Sequence, residues 1–248
     1  KKIFKITDYG EFGFKGVKVE TIALHIRNIN FPFVEIESYP LQKIEFKKQG
    51  YIIDDDFPTW LLYRNSYFDS YLKKVDFNQF MVMRDRRLTS KNYSKSGKYK
   101  VIKSKNIGYG QINMDNDTIS IKEDQVDNFI LSYLSKKNLY ITPNLTYYPR
   151  IVHLPENTVV DGSAAILFLK NSKALKKYQI DFFNSYEFFY FYRVARNFST
   201  RSLNVDSTTV FYFGLLKNKL TLNYMPRENR SSLIMQSSHQ DIFELHQK

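Results

Sequence analysis

The stretch TPNLTYYPRIVHLPENTVVDGSAAILFL, Thr142 to Leu169, holds a cluster of polar, aromatic and cationic side chains between two strand-like apolar runs. Simple alternation would suffice to pack a strand. Here Asn144, Thr146, Tyr147, Tyr148 and Arg150 offer an amide, hydroxyls, aromatic faces and a guanidinium, and Pro143 and Pro149 stiffen the backbone. Such a surface suits contact with a polar polymer. An edge hairpin carries the same letters, so on this segment alone both readings stay open.

Two further segments tilt the balance. In FMVMRDRRLTSKNYSKSGKYKVIKSKNIGYG, the apolar run Phe80–Met83 leads into Arg84, Arg86, Arg87 and Lys91. A Ser/Gly/Lys loop then gives way to a strand expected over Tyr99–Lys103, followed by Lys105. Two strands carrying a cationic loop fit a nucleic-acid groove, where Arg pairs with guanine edges or phosphate and Lys neutralises phosphate. A charged hairpin is also commonly a solvated face, and Asp85 is placed to pin one of the arginines. The other segment, FYRVARNFSTRSLNVDSTTVFYFGLL, gathers Arg193, Arg196 and Arg201 near Ser199, Thr200 and Ser202 at a helix end. That turn suits a phosphate; equally, its arginines suit helix carbonyls and Asp206.

The chain has 248 residues, enough to bury a sizeable core as one large domain or a domain with an appendage. Its 37 Lys and Arg against 25 Asp and Glu give a formal charge of +12, which points to a polyanionic partner, nucleic acid first. With 19 Tyr and 21 Phe it has both core volume and stacking faces. Lys, Asn, Ile, Tyr and Phe also rise together in AT-rich coding sequences, a second source for both signals. There is no cysteine, and His25, His153, His239 and His246 lack ligand spacing, so neither a disulfide framework nor a metal centre is expected. Without a membrane-length apolar run or a charged-then-apolar leader, the expectation is a cytoplasmic protein with no membrane partner. The opening KKIFKITDYG begins mid-pattern, as in a fragment of a longer chain.

Ile3–Thr7 and Thr21–Arg27 are expected as strands, joined by the loop DYGEFGFKGVKVE, and resemble the closing hairpin of another domain. Asn28–Pro40 has the punctuation of a linker, and Trp60 in FPTWLLYRN is an expected anchor for a strand or short helix. The best helical spacing runs from Asp124 to Lys137, and a second helix is expected over Ser185–Asn197, capped by Asn184 or Ser185. The tail from Pro226 is polar, with at most a short helix in SSHQDIFELHQK. The glycines of DYGEFGFKG lack the Lys-Ser/Thr ending of a phosphate loop. Glu45, Lys47 and Asp54–Asp56 imitate parts of a nuclease site, although a solvated strand face has the same letters, and no Ser-His-Asp triad has usable spacing.

In order, DYGEFGFKGVKVETIALHIR, RDRRLT with YKVIKSKNI, TPNLTYYPR with VDGSAAILFL, and FFNSYEFFYFYRVARNFSTRSLNVDS resemble the C-terminal part of type II, gamma-class DNA N6-adenine methyltransferases of restriction-modification systems. The FFNS-plus-helix feature also looks like the target recognition domains of type I specificity subunits. The family's F-x-G-x-G cofactor loop and N-P-P-[FY] site are missing from this chain, which is therefore expected to be inactive alone.

This resemblance implies an α+β fold of short, mostly antiparallel sheets with a few helices, target-recognition-domain-like, plus terminal strands of a truncated methyltransferase fold. It implies three regions: residues 1–27 as edge strands of the methyltransferase domain, 28–225 as the target recognition domain, and 226–248 as a tail. Double-stranded DNA and a catalytic methyltransferase domain, fused upstream or separate, are the implied partners. S-adenosylmethionine belongs in that other half, with no cofactor in this chain. The candidate DNA contacts are Arg84, Arg86, Arg87, Lys91, Lys103, Lys105, Asn144, Tyr147, Tyr148, Arg150, Arg196 and Arg201. A separate specificity subunit and a fragment of a fused nuclease-methylase are the alternatives.

Overall fold

In a computed structural model, which describes residues 2–17, 19–114, 119–146, 148–171, 173–199 and 203–222, the chain is α+β, with several short, mostly antiparallel sheets and a few helices. The β-branched runs at its start form the expected antiparallel hairpin, β1 (Lys2–Gly10) and β2 (Thr21–Arg27). The stretch that looked like a linker contains a strand, β3 (Val34–Ser38), which pairs parallel to β1 with Ile36 beside Ile6. Its Glu35 and Glu37 are ion-paired to Lys5 at 2.8 and 2.7 Å, while Val34, Ile36 and Ser38 on the other face are buried. With β4 (Lys43–Lys47) the sheet order is β2-β1-β3-β4, followed by a single helical turn, α1 (Gln49–Ile52).

This sheet belongs to one compact unit, residues 2–64 with 197–199; the second unit is residues 65–196 with 203–222. Within the first unit β3 pairs with β1 and β4 with β3, and the Tyr63 hydroxyl donates to Asp8 and Ser38. Trp60 lies in a loop, 36% exposed, and is no core anchor. At the sheet's edge, Ile22, Leu24 and Ile26 of β2 form a row 40–51% exposed, next to the still more exposed Phe12 and Phe14 of the β1–β2 loop.

The second unit contains α2 (Ser66–Leu72), β5 (Val75–Asp76), β6 (Phe80–Met83), β7 (Tyr99–Ile102), β8 (Ser120–Ile121), α3 (Asn128–Leu134), β9 (Leu139–Pro143) and β10 (Leu145–Thr146). It continues with β11 (Val152–His153), β12 (Thr158–Val160), β13 (Ala164–Leu169), α4 (Lys177–Phe183), α5 (Tyr186–Ala195), β14 (Leu203–Asn204), α6 (Ser207–Val210) and β15 (Leu215–Leu216). Its main sheet, β11-β9-β13-β6, is antiparallel; a smaller one, β12-β7-β8, joins β12 to β7 in parallel. The unbroken apolar run AAILFL follows from burial on both faces of β13. Ala164 and Ile166 face an aliphatic core with Val101, Ile102, Ile130, Ile141 and Val159. The alternate face meets an aromatic core, in which Phe191 of α5 stacks on Phe68 of α2 at 4.7 Å and Phe80 of β6 meets Phe183 of α4.

The expected helix over Asp124–Lys137 is shorter than its spacing suggested. Asp127 caps it by accepting from Ile130 N, the preceding residues form a separate turn, and the chain leaves the helix at Ser135, ahead of Lys136 and Lys137. The other expected helix is α5, capped by the Ser185 hydroxyl accepting from Phe188 N. Residues 223–248, including the proposed tail, lie outside the described residues.

Candidate nucleic-acid interface

Strand direction gathers the cationic segments. β6 and β9 both run antiparallel to β13, so their C-terminal ends lie together beside its start, and the C-terminal ends of β7 and β12 adjoin the same turn. That turn is Asp161-Gly162-Ser163. Asp161 N donates to Ile102 O at 3.3 Å, Asn144 N to Ser163 O at 2.9 Å, Ser104 N to Ser163 Oγ at 2.9 Å, and Arg84 Nη2 to Gly162 O at 3.3 Å. The Asp161 carboxylate, 7% exposed, accepts from Ser163 N, Ser163 Oγ and the Tyr93 hydroxyl. A Cβ on Gly162 would stand 3.1 Å from Asp85 O and 3.5 Å from Arg86 Cα, so a glycine lets the two backbones approach closely. Asp161, Ser163, Tyr93 and Ser104 were not legible as site residues; the Asp-Gly-Ser turn signal was the only hint.

Ten of the twelve expected contact residues lie among the described residues. Arg84 is partly buried beside Gly162, and burial, then the charge of Arg86, pulls its pKa below the usual guanidinium value. Arg86 and Lys105 are exposed. Lys103 lies with its ammonium 4.4 Å from the centroid of the Tyr93 ring. Lys91 is exposed in the turn Ser90–Asn92. Arg87 turns away toward α3: it bridges Asp85 at 3.3 Å and Asp127 at 2.6 Å and lies over Phe129, so Asp85 does pin an arginine. Asn144 is 1% exposed, with its backbone tied to Ser163 O and, through its own carbonyl, to Val205 N. Tyr147 and Arg201 lie outside the described residues.

Arg150 braces the site from within. Its Nε donates to Ile107 O at 2.7 Å, its Nη1 to Tyr148 O at 3.1 Å, and its guanidinium stands over the Tyr109 ring at 5.4 Å. Tyr148 stacks on Phe189 of α5 at 4.8 Å, and its hydroxyl pKa is raised by burial and then by neighbouring Tyr109, against the opposing charge of Arg193. Arg196 is partly buried at the C-cap of α5, with its Nε buried and lacking a hydrogen-bond partner among the described residues.

Other candidate chemistry is accounted for structurally. Lys47 donates to Leu62 O and Arg64 O and pairs with Glu45, while Asp54 pairs with Arg64. Among the described residues, no group of three or more His, Asp or Glu is placed to hold a metal ion. The glycines of DYGEFGFKG connect two antiparallel strands, whereas a phosphate loop leads from a strand into a helix. At the opposite end of the strands, a cleft of about 770 Å³ is lined by Tyr99, Leu131, Lys137, Leu139, His153 and Asn157, among others. No helix of the described residues is long and apolar enough to cross a membrane. In comparisons with known proteins, neither a family model nor a curated protein matches the chain.

Proposed function

We propose that residues 65–196 with 203–222 form a sequence-specific recognition module for double-stranded DNA. It is of the target-recognition type that serves an adenine-N6 DNA methyltransferase in a restriction-modification system, with methyl transfer performed by a catalytic domain outside the sequence described. The observation that carries this reading is the convergence of Arg84, Arg86, Lys103 and Lys105 around the Asp161–Ser163 turn, at one end of the strands. Exposed Arg86 and Lys105 suit phosphates. Arg84, oriented by Gly162 O, is held as a fixed donor fork for a base edge in the major groove. S-adenosylmethionine and the target adenine would occupy the catalytic domain.

The half-exposed row Ile22, Leu24 and Ile26 supports the companion reading of residues 1–27 as the edge of a larger sheet, because an apolar edge strand gains stability when another strand or domain covers it.

Fluorescence anisotropy of the chain on a labelled duplex, across a salt series, tests the assignment. Arg86→Ala and Lys105→Ala should each reduce the slope of log affinity against log salt by roughly one unit. Arg84→Ala should cost about 1–3 kcal/mol on a preferred sequence and relax the preference. Unchanged affinity at every salt concentration in all three variants would overturn the proposal.

A further inference from the structure

The cleft of about 770 Å³ lies where β7, β9 and β12 begin, and its lining divides into an apolar floor and a charged mouth. Buried Tyr133, Leu139 and Leu154, members of the aliphatic core, form the floor, with Tyr99 and Leu134 packed against them. Leu154 N donates to Leu139 O at 2.8 Å and Val160 N to the Tyr133 hydroxyl at 3.4 Å, so the floor is anchored to β9 and β12. Leu131 of α3 adds an apolar wall that is 50% exposed.

Charge enters at the mouth. The chain leaves α3 at Ser135, and Asn138, with φ +58°, turns it into β9, which keeps Lys136 and Lys137 exposed beside the cleft. The Lys136 ammonium stands 4.6 Å from the Phe168 ring centroid, and Lys137 makes no ion pair among the described residues. Exposed His153 and Glu156 contribute from the segment between β11 and β12. An apolar floor of this extent with a few polar groups at its rim fits a small organic molecule. Two ammonium groups against one carboxylate favour negative charge on the end of that molecule nearest the mouth. We propose that this cleft binds a small organic anion, with a flat apolar body against Leu139 and Leu154 and a carboxylate or phosphate held by Lys137. The site is at the opposite end of the strands from the Asp161–Ser163 turn and does not depend on the DNA reading.

Isothermal titration of the chain with naphthoate, an aromatic anion, and with naphthylmethanol, its uncharged counterpart, tests the site. Naphthoate should bind with a Kd below about 1 mM, an ordinary efficiency for a ligand of its size. Naphthylmethanol should bind about threefold more weakly, the range of one exposed charge pair. Lys137→Ala should remove the advantage of the anion, and Leu131→Glu, which replaces the apolar wall by a carboxylate, should weaken naphthoate about tenfold. Glu156→Gln should strengthen naphthoate about threefold by removing the one repelling charge. All three positions are exposed, so thermal midpoints equal to wild type verify folding. Naphthoate binding that is absent at about 1 mM, that the alcohol matches, or that persists unchanged in Lys137→Ala and Leu131→Glu, overturns the site. Weaker naphthoate binding in Glu156→Gln overturns the anion assignment.

Discussion

Truncating Asp161 to Ala should destabilise the second unit by about 3 kcal/mol, because three donors converge on this one carboxylate. Ser163 N and Oγ reach it at 2.9 and 2.5 Å, and the Tyr93 hydroxyl at 2.9 Å. Ser163 is exposed, so its donors regain water and their net loss is small. The Tyr93 hydroxyl is partly buried, and a hydrogen bond to a charged acceptor contributes about 1.5–3 kcal/mol. The remainder comes from loosening the turn that also receives Ser104, Asn144 and Arg84. At roughly 2–4 °C per kcal/mol for a domain of this size, the thermal midpoint should fall by roughly 6–12 °C. Asp161→Asn, which keeps an acceptor oxygen, should fall by about half as much. Denaturant unfolding of Asp161→Ala, Tyr93→Phe and the double variant isolates the pair: Tyr93→Phe should cost about 1.5 kcal/mol in the native background and nearly nothing when Asp161 is already absent. A loss below about 1 kcal/mol for Asp161→Ala, or strictly additive variants, would refute the idea that this carboxylate organises the turn.

Phe191→Ala should cost about 3–5 kcal/mol, since the fully buried ring stacks on Phe68 and packs against Phe77 and Tyr71; a denaturant midpoint close to wild type would contradict the aromatic core. The first unit should lose stability in acid. Burial pushes the Glu45 carboxyl up, but hydrogen bonds from Lys43 and Lys47, with their charges, outweigh it and hold its pKa below the ordinary value. The folded-state value is thus depressed, so its contribution is present above about pH 4–5 and lost as pH falls through the folded-state value. Denaturant midpoints measured from pH 6 to pH 3 should flatten in Glu45→Gln, and an unchanged acid limb would count against the Lys43-Glu45-Lys47 cluster.

Local signals were legible where neighbours in sequence supply the stabilisation. Ser185 caps α5 with its own hydroxyl, three residues from the amide it satisfies, and Thr21–Arg27 pairs with the strand preceding it through one loop. Signals failed where a distant segment decides. The punctuation of Asn28–Pro40 resembled a linker, but β3 within it pairs with β1, where Lys5 lies thirty residues before Glu35 in the sequence and next to it in the sheet. The lysines after α3 resembled its last turn, but Asp127 begins the helix later and Ser135 ends it sooner.

At the candidate site the letters showed which residue types are present and left their availability open. Arg84, Arg86 and Arg87 are neighbours in one motif, yet Arg87 is committed to Asp85 and Asp127, Arg86 is exposed, and Arg84 is oriented by Gly162. Asn144 looked like a reading residue and is buried, while Asp161, outside the expected contacts, occupies the organising turn.

What the amino-acid order determined alone was the apolar strands and the long aromatic helix, because periodicity and caps act over a few residues. Only the tertiary structure decided that segments near 84, 104, 144 and 162 meet at one end of the strands. Strand direction and register are properties of pairing between remote segments, and they alone determine which side chains those ends bring together.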